Sequence, residues 1–189
     1  MVDVHWIQPY RTDKNIGKAI NDAIVQICDL PDAGTHFLQD DDWVVLMDHD
    51  ILFLQPDTKA HIMDILENTT FDILGCMTNR LGSDMQLVKG MFDVDSISTH
   101  IAQAEYRWSA YGATVVATEV VAGMLMCFKV STWQALGGFD ENRINFDWLF
   151  CSRAPKKRLR VGIMAGIYIM HLYRWGSKYP ANDYKHLEV

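Results

Sequence analysis

Short apolar runs alternate with amphipathic segments along the first half of the chain. Residues 2–7 have strand character, and in residues 15–28 the apolar positions recur at helical spacing. Residues 43–47 form a continuous apolar run with acidic residues on both sides, which is typical of a short strand buried on both faces. A helix over 56–67 and a second buried strand over 71–77 follow. This alternation predicts an α/β fold with a mostly parallel central sheet flanked by helices.

The second half has a less regular pattern. Residues 80–115 are predicted to be a loop-rich acceptor region with a helix near 97–108, and apolar, β-prone character returns over 120–130. A short helix is expected over 131–136, and the last core strand over 160–168. The prediction is therefore one Rossmann-like domain spanning residues 1–186. The final Leu187-Glu188-Val189 resembles the remnant of a cleavable tag.

Charge and cysteine usage narrow the class of protein. A formal net charge of −7 over 189 residues argues against general affinity for nucleic acid or an anionic membrane surface. The four cysteines are widely spaced, which predicts reduced core thiols and a cytoplasmic location. The longest apolar stretch, residues 161–170, is too short to span a bilayer, so no membrane span is expected.

Acidic residues follow the buried run at 43–47. Asp48 and Asp50 are two residues apart, so in extended chain both carboxylates project to one side and His49 projects to the other. Ligands of α/β sheets bind outside the carboxyl ends of the strands, where this pair is predicted to lie. Carboxylate oxygens suit Mg²⁺ or Mn²⁺, and His171, after the last strand, is a candidate third ligand that favours manganese.

Four features in this order resemble the family-2 glycosyltransferases of the GT-A fold over nearly the whole chain. They are the Pro9-Tyr10 strand exit followed by Asn15-Ile16-Gly17-Lys18-Ala19-Ile20-Asn21; Trp43-Val44-Val45-Leu46-Met47-Asp48-His49-Asp50; Gly123 with Gly137-Gly138-Phe139-Asp140-Glu141; and Phe146-Asp147 with the later His171. The resemblance implies that the segment from Asn15 to Asn21 contacts the nucleotide. The resemblance implies a compact GT-A-like domain with an Asp-x-Asp metal motif. The family's second strand and its acidic base-contacting residue are missing between the first two elements, which predicts an abbreviated nucleotide pocket.

The resemblance also implies roles for individual residues. The metal ligands would be Asp48, Asp50 and His171, and the general base would be Asp147 with Asp140 as the second candidate. The family usually has Glu-Asp where this chain has Phe146-Asp147. The residues expected to contact the nucleotide are Gln8, Pro9, Tyr10, Arg11, Asn15, Lys18 and Asp48. Those expected near the donor or acceptor sugar are Arg80, Gly123 and Gly138.

The sequence therefore predicts a hexosyltransferase-type enzyme that uses Mn²⁺ or Mg²⁺. Its donor is expected to be a nucleoside-diphosphate sugar, UDP-linked, and its acceptor a glycan or other hydroxyl compound, with inversion at the anomeric carbon. Two alternatives stay open. One is a catalytically degenerate module that binds a sugar nucleotide or glycan. The other is a nucleotidyltransferase, although no Gly-rich basic loop follows the first strand.

Overall fold

A seven-stranded sheet forms the centre of the computed structural model, which describes residues 3–28, 39–82 and 84–174. Six strands follow the spatial order β1-β2-β6-β4-β7-β3, and β5 pairs with the other half of β7. The strands are β1 (Val4–Ile7), β2 (Trp43–Met47), β3 (Ile51–Leu52), β4 (Ile73–Thr78), β5 (Val115–Thr118), β6 (Leu125–Lys129) and β7 (Val161–His171).

Helices cover both faces of the sheet. They are α1 (Ile16–Cys28), α2 (Thr58–Asn68), α3 (Ile97–Tyr111), α4 (Val130–Leu136) and α5 (Phe146–Arg153). Successive residues of β2 divide between two cores: Val44 packs in the core that contains side chains of α1 and α5, whereas Val45 packs in the core that contains α2. All but the last residue of β2 are buried, because a strand between two helical layers is apolar on both faces.

The sheet is mixed rather than mostly parallel. The β1–β2 and β4–β7 pairs are parallel, but β6 lies between β2 and β4 and is antiparallel to both. The short strands β3 and β5 also run antiparallel to β7. The predicted α/β class with flanking helices is confirmed, and the four strands β1, β2, β4 and β7 do run in one direction. The prediction missed the orientation of β6, because apolar composition carries no information on strand direction.

Element boundaries agree with the sequence pattern where the apolar runs are uninterrupted. The strand at 43–47 is confirmed exactly, and α1 begins one residue after the predicted start. The β-prone run at 120–130 is strand only over β6. The sequence pattern did not reveal β3, β5 or α5. The tag-like residues 187–189 lie outside the described residues.

A bulge interrupts the pairing of β4 with β7. Cys76 pairs with Met164, but the next residue, Met77, pairs with Tyr168. Arg107 of α3 donates two hydrogen bonds to the carbonyl oxygen of Ala165 in the bulge, and the Ala165 amide donates to Thr114. These contacts satisfy backbone groups that the ladder leaves unpaired.

The described cysteine side chains are buried and unpaired, as expected for core thiols. They are Cys76, Cys127 and Cys151. Burial raises the pKa of the Cys151 thiol to about 12, so this thiol is inert. None of the helices in the described part of the chain has the length and apolar character that a bilayer crossing requires.

Candidate metal and donor site

The ends of β2 and β7 bring three potential metal ligands to one edge of the sheet. Asp48 follows β2, His171 ends β7, and Asp50 lies in the turn that leads into β3. One ligand atom from each of the three lies within 4.8 Å of the others. The predicted Asp-Asp-His cluster is therefore formed. The segment 48–50 is a turn rather than extended chain, so the reason given for the shared side of the two carboxylates was wrong.

Pairing of β3 with β7 fixes Asp50 beside His171. Ile51 pairs with His171 in the ladder, and the Leu172 amide donates to the carbonyl oxygen of Asp50 at 2.8 Å. The Asp50 carboxylate oxygen Oδ1 lies 3.2 Å from His171 Nε2. Asp48 is held separately, because its amide donates to the carbonyl oxygen of Met124 just before β6. Three strands thus position the cluster.

The His171 ring is oriented by backbone. Its Nδ1 lies 2.9 Å from the carbonyl oxygen of Arg80, an acceptor, so Nδ1 carries a hydrogen, and Nε2 faces Asp50 Oδ1 at 3.2 Å. Nε2 can donate to this carboxylate or, with a cation between them, offer its lone pair to the ion. The His171 amide donates to Oδ1 of Asn79 at 2.7 Å, and Asn79 is completely buried. A carbonyl acceptor behind the ligating imidazole is the usual support of a metal-binding histidine. The residues present therefore fit a divalent cation.

The two carboxyls of the cluster have opposite pKa shifts. Burial raises the pKa of Asp48 to about 6, and the negative charge of Asp50 adds to this effect. The pKa of Asp50 is lowered, first by its hydrogen bond with His171 and then by the histidine charge. A cation would relieve the cost of ionising Asp48, because it supplies the opposite charge that the buried carboxylate lacks.

Asp147 lies at the start of α5, next to the Gly123 turn before β6. Its Oδ2 accepts from the Gly123 amide at 3.0 Å, and its Oδ1 accepts from the Trp148 amide at 2.7 Å. Burial raises the pKa of Asp147, although both amides oppose this shift. A Cβ built on Gly123 would lie 2.9 Å from the Phe146 ring, so only glycine permits this approach without movement.

Asp140 is already paired. Its Oδ2 lies 2.5 Å from Nη1 of Arg153, whose Nη2 donates to the carbonyl oxygen of Gly138. The Arg153 guanidinium occupies one oxygen of this carboxylate, so the geometry favours Asp147 over Asp140 as the general base. Gly138 has φ +76°, and a Cβ there would lie 3.0 Å from Oδ1 of Asn21, which gives it a packing role.

Two of the predicted nucleotide contacts face the cluster. Nε2 of Gln8 donates to the carbonyl oxygen of Asp48 at 3.1 Å. This bond ties the end of β1 to the turn at residues 48–50, which we call the metal turn. Tyr10 is 73 % exposed and packs edge-on against His49, with ring centroids 6.5 Å apart. Pro9 is half-buried between them. An exposed aromatic ring beside the metal turn is available for stacking.

The other predicted nucleotide contacts have partners within the chain. Arg11 bonds to Asp13 and Asp22, and Lys18 bonds to Asp22 at 3.1 Å. Asn15 is buried, and its side-chain amide donates to Asn142 at 2.8 Å. The side chain of Arg80, which was predicted to lie near the donor or acceptor sugar, is only 1 % exposed and stacks on Phe92. A ligand that used these groups would have to compete with the existing bonds.

Sequence reasoning missed one supporting asparagine, Asn79, described above, and assigned another to a different role. Asn21 belongs to the segment expected to contact the nucleotide. Its Oδ1 accepts from the Phe139 amide and from Trp133 Nε1, while its Nδ2 donates to the Phe139 carbonyl oxygen. Asn21 thereby ties α1 to the turn before α5. The signal available in the sequence was a polar residue at an inward position of an amphipathic helix.

The mixed sheet and its flanking helices have a GT-A-like fold, which the comparison with solved structures shows. The structure is similar to the mannosyltransferase PcManGT from Pyrobaculum calidifontis in complex with GDP-Man and Mn²⁺. The TM-score is 0.51 at 18% identity, over 90% of this chain and 38% of that chain. No family model matches the sequence. No curated protein matches it either.

Proposed function

We propose that the chain is a metal-dependent glycosyltransferase that moves a sugar from a nucleoside-diphosphate sugar to a hydroxyl acceptor. The observation that carries the proposal is the cluster of Asp48, Asp50 and His171, with Nε2 of the imidazole aimed at a carboxylate. The structural similarity to a transferase whose structure contains GDP-Man and Mn²⁺ supports it.

Asp48, Asp50 and Nε2 of His171 would hold the cation. When bound, Mn²⁺ or Mg²⁺ neutralises charge on the diphosphate that leaves the sugar. The mixed oxygen and nitrogen donors favour Mn²⁺ over Mg²⁺. Gln8 keeps the metal turn in place through the Asp48 carbonyl oxygen, and Tyr10 would stack on the nucleobase.

Asp147 would act as the general base. Each of its oxygens accepts one amide hydrogen and keeps a lone pair for the acceptor hydroxyl. Its raised pKa makes it a better proton acceptor than an exposed carboxylate. Direct attack of the deprotonated hydroxyl on the anomeric carbon inverts the configuration there. NMR of the product made from an α-linked donor tests this step, since a β-linked product is expected.

The nucleobase is proposed to be uracil, as the sequence resemblance suggests. Guanine is the second candidate, because the similar mannosyltransferase structure contains GDP-Man. The internal bonds of Arg11, Asn15 and Lys18 leave few free polar groups for base recognition among the described residues. We therefore expect modest discrimination between UDP and GDP.

Calorimetric titration of UDP and GDP tests the donor site. We expect binding with Mn²⁺, loss of binding in EDTA, and loss in Asp50→Asn with Mn²⁺. The matched control is Asp41→Asn, an exposed acid at the opposite end of β2, which should bind as the wild type does. Absence of nucleotide binding under every condition would contradict the proposal.

A catalytically inactive sugar-nucleotide-binding module is the second candidate function. The observation that favours it is that Arg11, Asn15 and Lys18 are bonded to other residues of the chain. Fewer side chains are therefore free to contact a nucleotide. Turnover separates the two functions. Slow Mn²⁺-dependent hydrolysis of a UDP- or GDP-hexose that disappears in Asp147→Asn supports the enzyme, whereas nucleotide binding without any hydrolysis or transfer supports the module.

A further inference from the structure

Trp148 is an exposed aromatic residue at the start of α5. It is the third residue of this helix and is 54 % exposed. Within residues 3–28, 39–82 and 84–174, its indole ring makes no hydrogen bond, ring contact or cation contact. Of the other exposed aromatic side chains, Tyr10 and Tyr111 pack against His49 and Arg107, and Tyr106 lies on α3, whereas Trp148 directly follows Asp147. A large apolar side chain left half in water is informative, because folding normally buries it.

The position of Trp148 links it to the candidate base. Its backbone amide donates to Oδ1 of Asp147 at 2.7 Å, and Oδ2 of the same carboxylate accepts from Gly123 at 3.0 Å. The indole is therefore attached one residue beyond the group that would take the acceptor's proton. Both residues belong to the first turn of α5, whose amino end lies at the edge of the sheet that holds the Asp-Asp-His cluster.

The chemistry of an exposed indole selects a type of ligand. The face of the ring is electronegative, and the axial C–H groups of a pyranose carry a small positive charge, so the two faces stack favourably. The hydroxyls at the rim of the sugar stay free to bond with water or with a carboxylate. An anionic acceptor is disfavoured beside the indole, because the neighbouring Asp147 carboxylate carries the same charge.

We propose that Trp148 is the stacking platform of an acceptor subsite for a neutral pyranose, with one ring hydroxyl directed to Asp147. This inference rests on the proposed function, since it identifies the acceptor as a sugar. It also predicts which acceptors this subsite selects. Acceptors with an unobstructed axial C–H face should be preferred over alkyl alcohols and over acidic sugars.

Saturation-transfer NMR with neutral methyl hexopyranosides, methyl α- and β-glucoside, galactoside and mannoside, tests the subsite. We expect at least one of them to bind the wild type, and Trp148→Ala to weaken its binding about tenfold. Trp148→Phe should recover most of the affinity, because it keeps an aromatic face. The matched control is Tyr106→Ala on α3, another aromatic side chain that is 60 % exposed. Thermal melts verify that the variants are folded.

The outcomes separate the subsite from the donor chemistry. No saturation transfer to any of the glycosides in the wild type, or equal binding by Trp148→Ala, would overturn the inference. Equal loss in Tyr106→Ala would also overturn it, since the effect would then not be local to α5. The UDP and GDP titrations with Mn²⁺ are run on the same proteins. Glycoside binding through Trp148 without nucleotide binding would contradict the proposed function alone.

Discussion

His171 depends on its neighbours for its position in the cluster. Its ring is set by the Arg80 carbonyl oxygen, and its backbone is set by the side chain of Asn79. Neither supporting group is a metal ligand, and both come from the segment that directly follows β4. Because β4 and β7 are parallel neighbours, the end of one strand supports the ligand at the end of the other. The residues after β4 therefore support the β7 end of the candidate metal site.

Asn79→Ala should weaken Mn²⁺ binding about 10- to 100-fold, because the His171 amide loses its buried acceptor and the imidazole is no longer held. The free energy of unfolding should also fall by about 1–3 kcal/mol. Calorimetry with Mn²⁺ and chemical denaturation measure the two effects. Ile65→Ala in α2 is the control, since it destabilises the core and should leave the Mn²⁺ affinity unchanged. Wild-type affinity in Asn79→Ala would contradict the positioning role.

Asp48 is predicted to destabilise the metal-free protein. Its pKa is raised from 3.8 to about 6 by burial, so between these pH values the folded state keeps a proton that the unfolded state has released. Stability from this group therefore falls as the pH rises through that window and is constant above it. In EDTA at pH 7.5, Asp48→Asn should raise the free energy of unfolding by about 1–2 kcal/mol.

Denaturation of the wild type and Asp48→Asn at pH 7.5 and pH 3.8 measures this effect. The stabilisation should be present at the higher pH and nearly absent at the lower one, where the carboxyl is protonated in the folded state and half protonated in the unfolded state. Asp41→Asn, an exposed acid, should change little at either pH. A destabilised Asp48→Asn at pH 7.5 would show that the ionised carboxylate is compensated without a metal. The same variant should lose Mn²⁺ binding.

Residue chemistry in the sequence was enough to predict the Asp-Asp-His cluster. Asp48 and Asp50 follow an apolar run that could only be a buried strand, and His171 follows another. The predicted nucleotide contacts are different. The acidic partners of Arg11 and Lys18 lie nearby in the sequence, whereas the partner of Asn15 is distant. Asn15 bonds to Asn142, which is 127 positions away, and no local pattern predicts such a pair.

At the scale of elements, β7 is the strand that pairs with three others. Its first half pairs with β5, its end pairs with β3, and β4 runs along its other side. The bulge at residues 165–167 shifts the register of β7 against β4 between the first half of β7 and its end. Gly166 lies against α3 there, and a Cβ built on it would be 2.1 Å from the carbonyl oxygen of Gly112. The register of His171 therefore depends on a close backbone approach that only glycine allows.

Gly166→Ala should destabilise the protein by about 3 kcal/mol or prevent folding, because the obstacle is backbone that cannot rotate away. Gly82→Ala is the matched control, since a Cβ at Gly82 would have nothing within 4 Å. Chemical denaturation of both variants measures the difference. If Gly166→Ala were as stable as the control, the bulge would have to be able to move away from α3.

Elements with long apolar runs could be predicted, and short ones could not. The strand at 43–47 has five consecutive apolar residues, whereas β3 has only two residues and exists because it pairs with the end of β7. The edge strand β5 has exposed Val116 and Ala117, so it lacks the buried run that marks the central strands. Pairing partners, rather than local composition, determine these elements.

At the scale of the whole molecule, the direction of the strands explains where the site lies. The ends of β1, β2, β4 and β7 share one edge of the sheet, and the amino end of the antiparallel β6 joins them there. Asp48, Asp50, Asp147 and the Gly123 turn consequently meet at that edge. The acidic groups there contribute to a chain with a net charge of −7, and a divalent cation would offset part of their repulsion.

Metal binding should therefore stabilise the whole fold in a pH-dependent way. Mn²⁺ at about 100 times its dissociation constant should add about 2.7 kcal/mol to the free energy of unfolding at pH 7.5. At pH 5 the gain should be smaller, because Asp48, with a pKa of about 6, is mostly protonated and must release its proton before it can bind the ion. Thermal melts in Mn²⁺ and in EDTA at both pH values measure the gain. Asp50→Asn should show no Mn²⁺-dependent shift, and Asp41→Asn should show the full one; a shift that persists in Asp50→Asn would place the bound Mn²⁺ elsewhere on the protein.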